Sequence, residues 1–405
     1  MTNNRNISVL AHSDCCGCRA CGDVCPKECI HFEKDSEGFY YPIVAESACI
    51  SCGKCMRICP EIIQSIHPQA FLVTAAFATN AKYRNAGSSG GVFGLLALKV
   101  IEVGGKVWGA AFDEKLKLKH RCASTKEELQ PLLKSKYLQS NTGEIYRQIA
   151  QDIKTGIPTL FSGTPCQCNA IRNLIGDNEL LTTIEVVCHG VPSQDLFDKS
   201  IKWLEDKNKC WIRGFEFRSK YKNALHPHAF SYTYIKQNRT GTVNGLHYQF
   251  PFYFGFQRYI TLRPSCYSCK WARPERTADI TLGDFWGIEK YDSNLDAKKG
   301  ISQVILNTKN GEKLFNKIVA DKSCERLKQL PIKTAIENNG CLKEPTRLTP
   351  IRKQLFESLA NEPFDFVVRK FLTPRRKWIF DAYYGMPKFL RKIVRKVMDK
   401  RMRYE

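Results

Sequence analysis

The sequence lacks any apolar run long enough to cross a membrane, because its longest apolar stretches, such as residues 91–103, are interrupted by Lys99 and Glu102. The first residues also lack the charged start and apolar core of a secretory signal. We therefore expect a soluble, cytoplasmic protein. At 405 residues the chain is long for a single hydrophobic core, and we expect two or three domains.

Acidic residues are scarce, with 40 Asp and Glu against 62 Lys and Arg, which gives a net charge of +22. Much of the excess lies near the end, in residues 331–405, which we interpret as a basic C-terminal extension. A nucleic acid, an anionic membrane surface or an acidic redox protein could use this charge. We expect no nucleic acid, because the sequence has no recognisable nucleic-acid-binding fold.

Within this extension, apolar and basic residues recur at helical spacing on opposite faces. The apolar face is formed by Phe389, Leu390, Ile393, Val394, Val397, Met398 and Met402, and the basic face by Lys388, Arg391, Lys392, Arg395 and Lys396. The pattern predicts an amphipathic helix suited to peripheral contact with the inner face of the membrane. The alternative is a helix docked on the protein's own core.

Disulfides are not expected among the 19 cysteines, because the cytosol keeps thiols reduced. Two quartets in residues 1–65 repeat the spacing C-x2-C-x2-C-x3-C-P, which is typical of bacterial ferredoxins with two [4Fe–4S] clusters. The fourth cysteine of each such quartet ligates the other cluster. The predicted ligands are a first set, Cys15, Cys18, Cys21 and Cys59, and a second set, Cys49, Cys52, Cys55 and Cys25. Two four-cysteine zinc sites are the alternative, although zinc favours separated C-x2-C pairs.

Between the quartets, residues 30–44 alternate apolar and polar positions around Glu37 and Gly38, which predicts a hairpin. From residue 66 to residue 330, strand, loop and helix patterns alternate, which predicts an α/β fold with parallel strands and crossover helices. We divide this region into residues 66–150 and 151–330.

A Ser/Gly loop precedes the apolar, helix-length segment 92–103. Its members are Ser88, Ser89, Gly90 and Gly91. Such a loop before a helix N-terminus suits a phosphate. It matches neither GxGxxG nor the P-loop, so a plain tight turn is the alternative.

A lone C-x2-C pair, Cys266 and Cys269, needs two further thiolates to close a site. Cys166 and Cys188 each follow a predicted strand, residues 157–163 and 182–187, and the carboxyl ends of neighbouring parallel strands meet at one edge of a sheet. We therefore predict that these four cysteines, the third set, hold a third [4Fe–4S] cluster. A zinc site and a redox dithiol are the alternatives.

His189 adjoins Cys188 and is a candidate catalytic proton donor, with a structural histidine as the alternative. The segment KLKLKHR, residues 115–121, alternates Lys with Leu and predicts a solvated edge strand.

Six motifs, in order, resemble the coenzyme F420 hydrogenase/dehydrogenase beta-subunit family. They are SSGGV (88–92), KYLQSNTGEIY (136–146), FSGTPCQC (161–168), VCHGVPS (187–193), RPSCYSC (263–269) and ADITLGDFWGI (278–288). The resemblance covers about residues 66–320 and implies an iron–sulfur flavoprotein with an α/β flavin-binding domain. Carried onto this chain, it places FAD phosphates on the loop from Ser88 to Gly91, and the third set around a proximal cluster. The implied flavin pocket also contains Lys136, Gln139, Ser140 and Thr164. Cys168 and the basic extension depart from the family pattern.

The resemblance implies an oxidoreductase that passes electrons between [4Fe–4S] clusters and FAD, to or from a two-electron partner such as coenzyme F420 or another organic substrate. Bacterial members of the family lie near surface-polysaccharide genes, so a role in that biosynthesis is included in the expectation. The implied partners are a ferredoxin-like or other redox protein and the organic substrate. The alternative is a non-catalytic electron-transfer subunit that links a partner enzyme to its electron source.

Overall fold

The computed structural model describes residues 5–67, 72–220, 228–292, 295, 297–327, 329–386, 390, 393 and 394. Its strands are β1 Ile30–Lys34, β2 Tyr40–Val44, β3 Leu72–Ala78, β4 Lys106–Phe112, β5 Leu118–Ala123, β6 Thr159–Gly163, β7 Leu181–Val186, β8 Trp211–Phe217, β9 Ala229–Lys236, β10 Arg239–Leu246, β11 Ile280–Asp284, β12 Ser302–Leu306 and β13 Cys324–Arg326. Its helices are α1 Ala20–Asp23, α2 Lys54–Ile58, α3 Ala81–Ala86, α4 Val92–Glu102, α5 Lys126–Leu129, α6 Ile145–Lys154, α7 Pro165–Ile175, α8 Gln194–Asn208, α9 Pro251–Gln257, α10 Lys309–Ala320, α11 Ile332–Asn338, α12 Pro350–Asn361, α13 Phe364–Phe371 and α14 Lys377–Gly385.

The N-terminal module contains a hairpin and two short helices. Strands β1 and β2 pair antiparallel, from Ile30 opposite Val44 to Lys34 opposite Tyr40, which confirms the predicted hairpin. Helices α1 and α2 pack against each other and carry Cys21 and Cys55. The cysteine loops are therefore held on one side by the hairpin and on the other by the two helices.

An eight-stranded sheet dominates the rest of the described residues, in the order β13-β3-β12-β11-β7-β6-β4-β5. Strands β4, β6, β7 and β11 are parallel, as the alternating pattern predicts. Strands β12, β3, β13 and β5 pair antiparallel, so the sheet is mixed. No helix longer than one turn separates β11 from β12 among the described residues, and an antiparallel return needs no crossover helix. Strands from residues 66–150 and 151–330 share this one sheet.

The helix after the Ser/Gly loop begins where only a glycine fits well. Gly91 precedes α4 and has φ +83°, a conformation that L side chains rarely adopt. A Cβ at Gly91 would lie 2.6 Å from the Tyr83 carbonyl oxygen. On this face of the sheet, α4 and α10 cover a core of aliphatic side chains that includes Leu96 and Phe315. The loop is thus fixed relative to the sheet by close backbone packing.

A second, antiparallel sheet of strands β10-β9-β8 covers an aromatic core that the sequence patterns do not predict. Helix α9 supplies Phe252, Tyr253 and Phe256 to this core, all of them buried. The prediction of a solvated edge strand at KLKLKHR is confirmed in part. Strand β5 is the last strand of the large sheet, but its residue His120 is buried.

Most of the predicted C-terminal amphipathic helix, including residues 387–389, 391–392 and 395–405, lies outside the described residues. Across the described ranges, none of the helices combines the length and apolar character that a membrane crossing requires.

A fully buried ion pair joins β7 to the loop that follows Cys269. The Arg276 guanidinium donates to Glu185, which also accepts from the Thr281 hydroxyl at 2.8 Å. Arg276 also donates to the backbone carbonyls of Trp271 and Arg273, each at 2.8 Å. The pair therefore fixes the path of the chain after the Cys266–Cys269 turn.

We expect Arg276→Met to lower the free energy of unfolding by about 3–5 kcal/mol, because it leaves the buried Glu185 carboxylate without its cation. Anaerobic urea unfolding of the purified protein measures this change. The matched control is Arg121→Met, since Arg121 is exposed on β5 and should lose less than about 0.5 kcal/mol. Equal losses for the two variants would contradict a structural role for the pair.

Candidate functional site

The first set of cysteines lies where the N-terminal module meets the large domain. Cys18, Cys21 and Cys59 are buried and Cys15 is half-buried. Burial, together with the nearby thiols of Cys15 and Cys59, raises the pKa of Cys21 well above its ordinary value. Cys18 in turn lies close enough to Cys21 and Cys59 to interact with both electrostatically. The structure therefore brings these four thiols together, and their role as ligands stays a prediction.

The second set lines a separate cavity of about 20 Å³ inside the N-terminal module. All four of its cysteines, Cys25, Cys49, Cys52 and Cys55, contribute to the wall. A fifth, Cys29, has its sulfur 3.4 Å from that of Cys25. Burial, followed by the influence of Cys25 and Cys49, raises the pKa of Cys29 to about 12. The Cys52 residue is exposed, so this cavity reaches the surface.

The third set converges on one cavity of about 60 Å³, although its members lie up to 103 residues apart in the chain. Cys166 is in the first turn of α7, Cys188 follows β7, and Cys266 and Cys269 lie in and after the 3-10 turn Pro264–Ser268. The Thr164 and Gln167 side chains cap α7 reciprocally, which fixes the turn that holds Cys166. Burial, followed by the Cys266 and Cys166 thiols, raises the pKa of Cys269 to about 12.

The wall of this third-set cavity is completed by residues of the N-terminal module. Cys16 and Glu61 both contribute to it, and the Cys16 thiol hydrogen-bonds that of Cys166. Cys341, from the turn after α11, closes another side. Cys16 and Cys341 had no predicted role, because neither belongs to a recognisable spacing.

The loop that carries the first set is bound to the large domain through its backbone carbonyls. Arg263, which is fully buried, donates to the Cys15 carbonyl at 2.5 Å. The Gln139 amide donates to the Cys16 and Gly17 carbonyls at 2.9 and 3.0 Å. The Thr142 hydroxyl donates to the Cys18 carbonyl at 2.8 Å. The first and third sets are therefore held in fixed relation by hydrogen bonds that do not depend on the loop's side chains.

A much larger cavity of about 520 Å³ lies beside the third set. It is lined by most of the predicted flavin-pocket residues, namely Ser88, Ser89, Gly91, Lys136, Ser140 and Thr164. Ser140, Thr164, Cys188 and His189 line both this cavity and that of the third set. The two cavities therefore share a wall.

Two predicted flavin-pocket residues lie elsewhere. Gln139 lines the third-set cavity and not the large one, and its amide is engaged by the cysteine loop. Gly90 is buried behind the Ser/Gly loop, where its N–H donates to the Ser302 hydroxyl at 3.0 Å. A Cβ at Gly90 would lie 2.5 Å from the Ala76 carbonyl oxygen. Gln139 holds the cysteine loop, and Gly90 packs against the backbone of β3 and β12. Neither residue therefore contributes to the wall of the large cavity.

The electrostatics of the large cavity favour an anionic ligand. Lys136 is half-buried, and its ammonium group donates only to the carbonyls of Pro131 and Leu133 among the described residues, each at 2.7 Å. Burial lowers the pKa of Lys136 to about 7. An anion beside this group would restore its ordinary charge. The Ser/Gly loop supplies further hydroxyls at the start of α4.

Three residues of this wall escaped the sequence interpretation. Arg218 forms an ion pair with Asp284 at 2.5 and 2.9 Å inside the cavity. His120 is buried, its Nε2 lies 3.1 Å from the Ser162 carbonyl, and its Nδ1 has no partner among the described residues. Burial lowers the pKa of His120 to about 4, so the ring is neutral. The sequence did contain a signal for the burial of His120. This residue follows Leu116 and Leu118 at every second position, and both leucines are buried.

His189, the predicted proton donor, lies in the wall between the two cavities. Its ring stacks on Tyr259 with centroids 5.7 Å apart, and its Nε2 lies 3.8 Å from the Cys341 sulfur. Burial lowers the pKa of His189, so the neutral form dominates near neutral pH. A neutral ring at this position can exchange a proton with a ligand in the large cavity, and its catalytic role stays a prediction.

The spacing of the cysteines suits a group larger than one ion. In the part of the chain that the structure describes, no three His, Cys, Asp or Glu side chains converge closely enough to hold a single metal ion. The third set nevertheless lines one cavity. Four thiols arranged around such a space fit an iron–sulfur cluster better than a zinc ion, which needs its ligands at about 2.3 Å.

Fold and site together define an α/β protein with clustered thiols beside a large ligand cavity. The family model for the C terminus of the coenzyme F420 hydrogenase/dehydrogenase beta subunit matches residues 158–329, so this part of the chain is similar to that family. The match includes Cys166, Cys188, Cys266 and Cys269 and leaves out the N-terminal module, whose ferredoxin character stays a prediction. The family indicates a redox, electron-transfer role.

One similar solved structure is a chain from the F420-reducing [NiFe] hydrogenase complex of Methanosarcina barkeri, described in a xenon derivatization study. The identity is 18%, the match covers 78% of this chain and 94% of that chain, and the TM-score is 0.42. A likeness at this level adds nothing to the family assignment. No curated protein matches the chain.

Proposed function

We propose that the protein is an iron–sulfur flavoprotein oxidoreductase with three [4Fe–4S] clusters and one FAD. The first and second sets hold two clusters in the N-terminal module, and the third set holds one beside the large cavity, where FAD binds. FAD supplies the conversion between two-electron chemistry on an organic substrate and one-electron transfer. The substrate is coenzyme F420 or another organic two-electron partner.

The observation that carries the proposal is the wall that the two cavities share. A residue of the third set, Cys188, is part of that wall, and so are Ser140, Thr164 and His189. A redox group among the thiols and a ligand in the large cavity are therefore separated by single side chains. Such proximity is what electron transfer between them requires.

The residues of the large cavity fit FAD in three respects. The cavity offers about 520 Å³, within the roughly 300–1,000 Å³ of a typical small-molecule pocket. Lys136 and the hydroxyls of Ser88 and Ser89 form a polar end suited to phosphates. His120 presents a buried nitrogen without a partner among the described residues, which a ligand hydrogen bond would satisfy.

The chain's own residues do the remaining work. Lys136 neutralises the charge of a bound phosphate, and His189 holds or releases a proton at its ring nitrogen beside the reacting ligand. Arg218 and Asp284 hold each other in place through their ion pair. They therefore orient the ligand while each keeps its own charge. The four thiols of the third set are half-buried, which limits the access of water to them.

Anaerobic purification followed by iron, sulfide, zinc and flavin analysis of one sample tests the proposal. We expect about twelve iron atoms and about one FAD per chain, since each cluster contributes about four iron atoms. About eight iron atoms without flavin would contradict the third cluster and the flavin together. Stoichiometric zinc with no sulfide would contradict the clusters altogether.

A further inference from the structure

The two cysteine sets of the N-terminal module have different surroundings. The loop of the first set is hydrogen-bonded to Arg263, Gln139 and Thr142 of the large domain. Cys18 packs in the same cluster as Tyr146 and Phe161. The second set packs with residues of the module itself, including Ile7, Ile30 and Met56. The first set therefore faces inward, and the second set lies on the far side of the module.

The far side is open at the second set. Cys52 is exposed, and the neighbouring Ile50 keeps 57% of its surface accessible. Because electron transfer weakens steeply with distance, a protein that exchanges electrons with this chain must approach a redox group closely. Of the three sets, only the second offers a fully exposed cysteine among the described residues.

The rim of this opening carries positive charge. Arg5, Lys27 and Lys54 line the second-set cavity and are exposed, and Arg57 is exposed on α2 nearby. Two carboxylates adjoin this rim. Glu46 accepts from the Asn6 amide at 3.2 Å, and Glu28 pairs with Arg147 at 3.4 Å. An apolar centre at Ile50 with a basic rim is a typical arrangement for a polar, transient protein interface.

We propose that this surface, the Cys52 patch, docks a small acidic protein that carries single electrons. The inference rests on the proposed function, because it requires a cluster in the second set. The carrier gives up one electron to this site in each encounter, and no bond forms or breaks. Opposite charges increase the rate of encounter and orient the carrier, while the small apolar contact at Ile50 permits rapid release.

The test uses the anaerobically purified full chain and, as the probe, an acidic plant-type [2Fe–2S] ferredoxin. Calorimetry or biolayer interferometry gives the dissociation constant at about 20 and about 200 mM salt, which spans strong and weak screening. Lys27→Glu and Arg5→Glu reverse charge in the patch without altering a residue between the cysteines of either quartet. The matched control is Lys313→Glu, an exposed residue of α10, which packs against α4 and the large sheet.

We expect each patch variant to raise the dissociation constant about fivefold or more, and the double variant to raise it further. The control should stay within about twofold, and the wild-type affinity should fall with salt. Cytochrome c, a basic redox protein, should not bind. Undetectable or salt-insensitive binding, or equal affinities for patch and control variants, would overturn the inference.

Metal analysis separates failure of this inference from failure of the proposed function. If the wild type contains the expected iron and sulfide and the patch variants bind like the control, only the docking surface is wrong. If the N-terminal module contains no cluster, the proposed function fails first. Each variant is used only if its iron content equals that of the wild type, and Arg57→Glu replaces either variant that loses iron.

Discussion

Replacing Cys269 with alanine should remove about four iron atoms per chain, reducing the total from about twelve to about eight. Cys269 is one of the four thiols of the third set, in a cavity wall that also contains Cys16 and Cys341. A cubane left with three thiolates is labile. The N-terminal clusters should remain, because Cys269 belongs to neither the first nor the second set. Iron and sulfide assays measure the loss directly.

The matched control is Cys210→Ala, since Cys210 is a half-buried thiol after α8 that belongs to none of the three sets. This variant should retain all of its iron. Electron paramagnetic resonance of the dithionite-reduced proteins should show one signal fewer in Cys269→Ala than in Cys210→Ala. Unchanged iron in Cys269→Ala would contradict the assignment of the third set.

Replacing Lys136 with glutamate should leave the purified protein almost free of flavin. The substitution places a negative charge in the wall that we assign to the FAD phosphates, beside the Ser/Gly loop. Repulsion and the cost of burying an unpaired carboxylate act in the same direction. Absorbance and fluorescence of released flavin measure occupancy. Lys136→Arg, which keeps the charge, should retain flavin, and Lys313→Glu should behave like the wild type.

The same lysine predicts a pH dependence of flavin binding. In the flavin-free protein, burial lowers the pKa of Lys136 to about 7. A bound phosphate stabilises the charged amine and raises its pKa, so binding takes up a proton above pH 7. The affinity for FAD should therefore fall as the pH rises from about 7 to 9, by at most about tenfold per unit. The Lys136→Arg variant should lose this dependence, because arginine keeps its proton throughout the range.

The unfolding free energy of the flavin-free protein should change in the opposite sense. The unfolded lysine keeps its proton up to a pKa of about 10.4, whereas the folded one loses it near 7. The unfolded state then binds more protons in that window, so the contribution of Lys136 to stability increases with pH. A stability that was independent of Lys136 between pH 7 and 9 would contradict the burial of this amine.

The third set shows how far the sequence could lead. Cys166 and Cys188 follow β6 and β7, which are parallel neighbours, and their proximity could be predicted from strand order alone. The pair Cys266–Cys269 lies in a turn outside regular strands. It was assigned to the site because a closed site needs four thiolates. The structure brings all four to one cavity. Spacing could not reveal Cys16 or Cys341, because contacts between distant segments place them there.

The large cavity was predicted less completely for a physical reason. Ser88, Lys136 and Thr164 lie in motifs, whereas Arg218 comes from the end of β8, whose antiparallel sheet has no clear sequence pattern. Gln139 and Gly90 belong to the same motifs, yet their neighbours are the cysteine loop and β12. A motif indicates which segment lies near a site, but the direction of each side chain depends on what packs behind it.

The third-set cavity is closed on one side by Cys16 and Glu61 of the N-terminal module. This has a consequence for maturation of the protein. A chain that began after the module would present the four thiols of the third set to solvent and to dioxygen, which destroys exposed iron–sulfur centres. If the third set holds the proposed cluster, the module acts as its cover, and the module must dock before the inner cluster is protected from dioxygen. Truncation of the module would then lower the oxygen tolerance of the inner cluster.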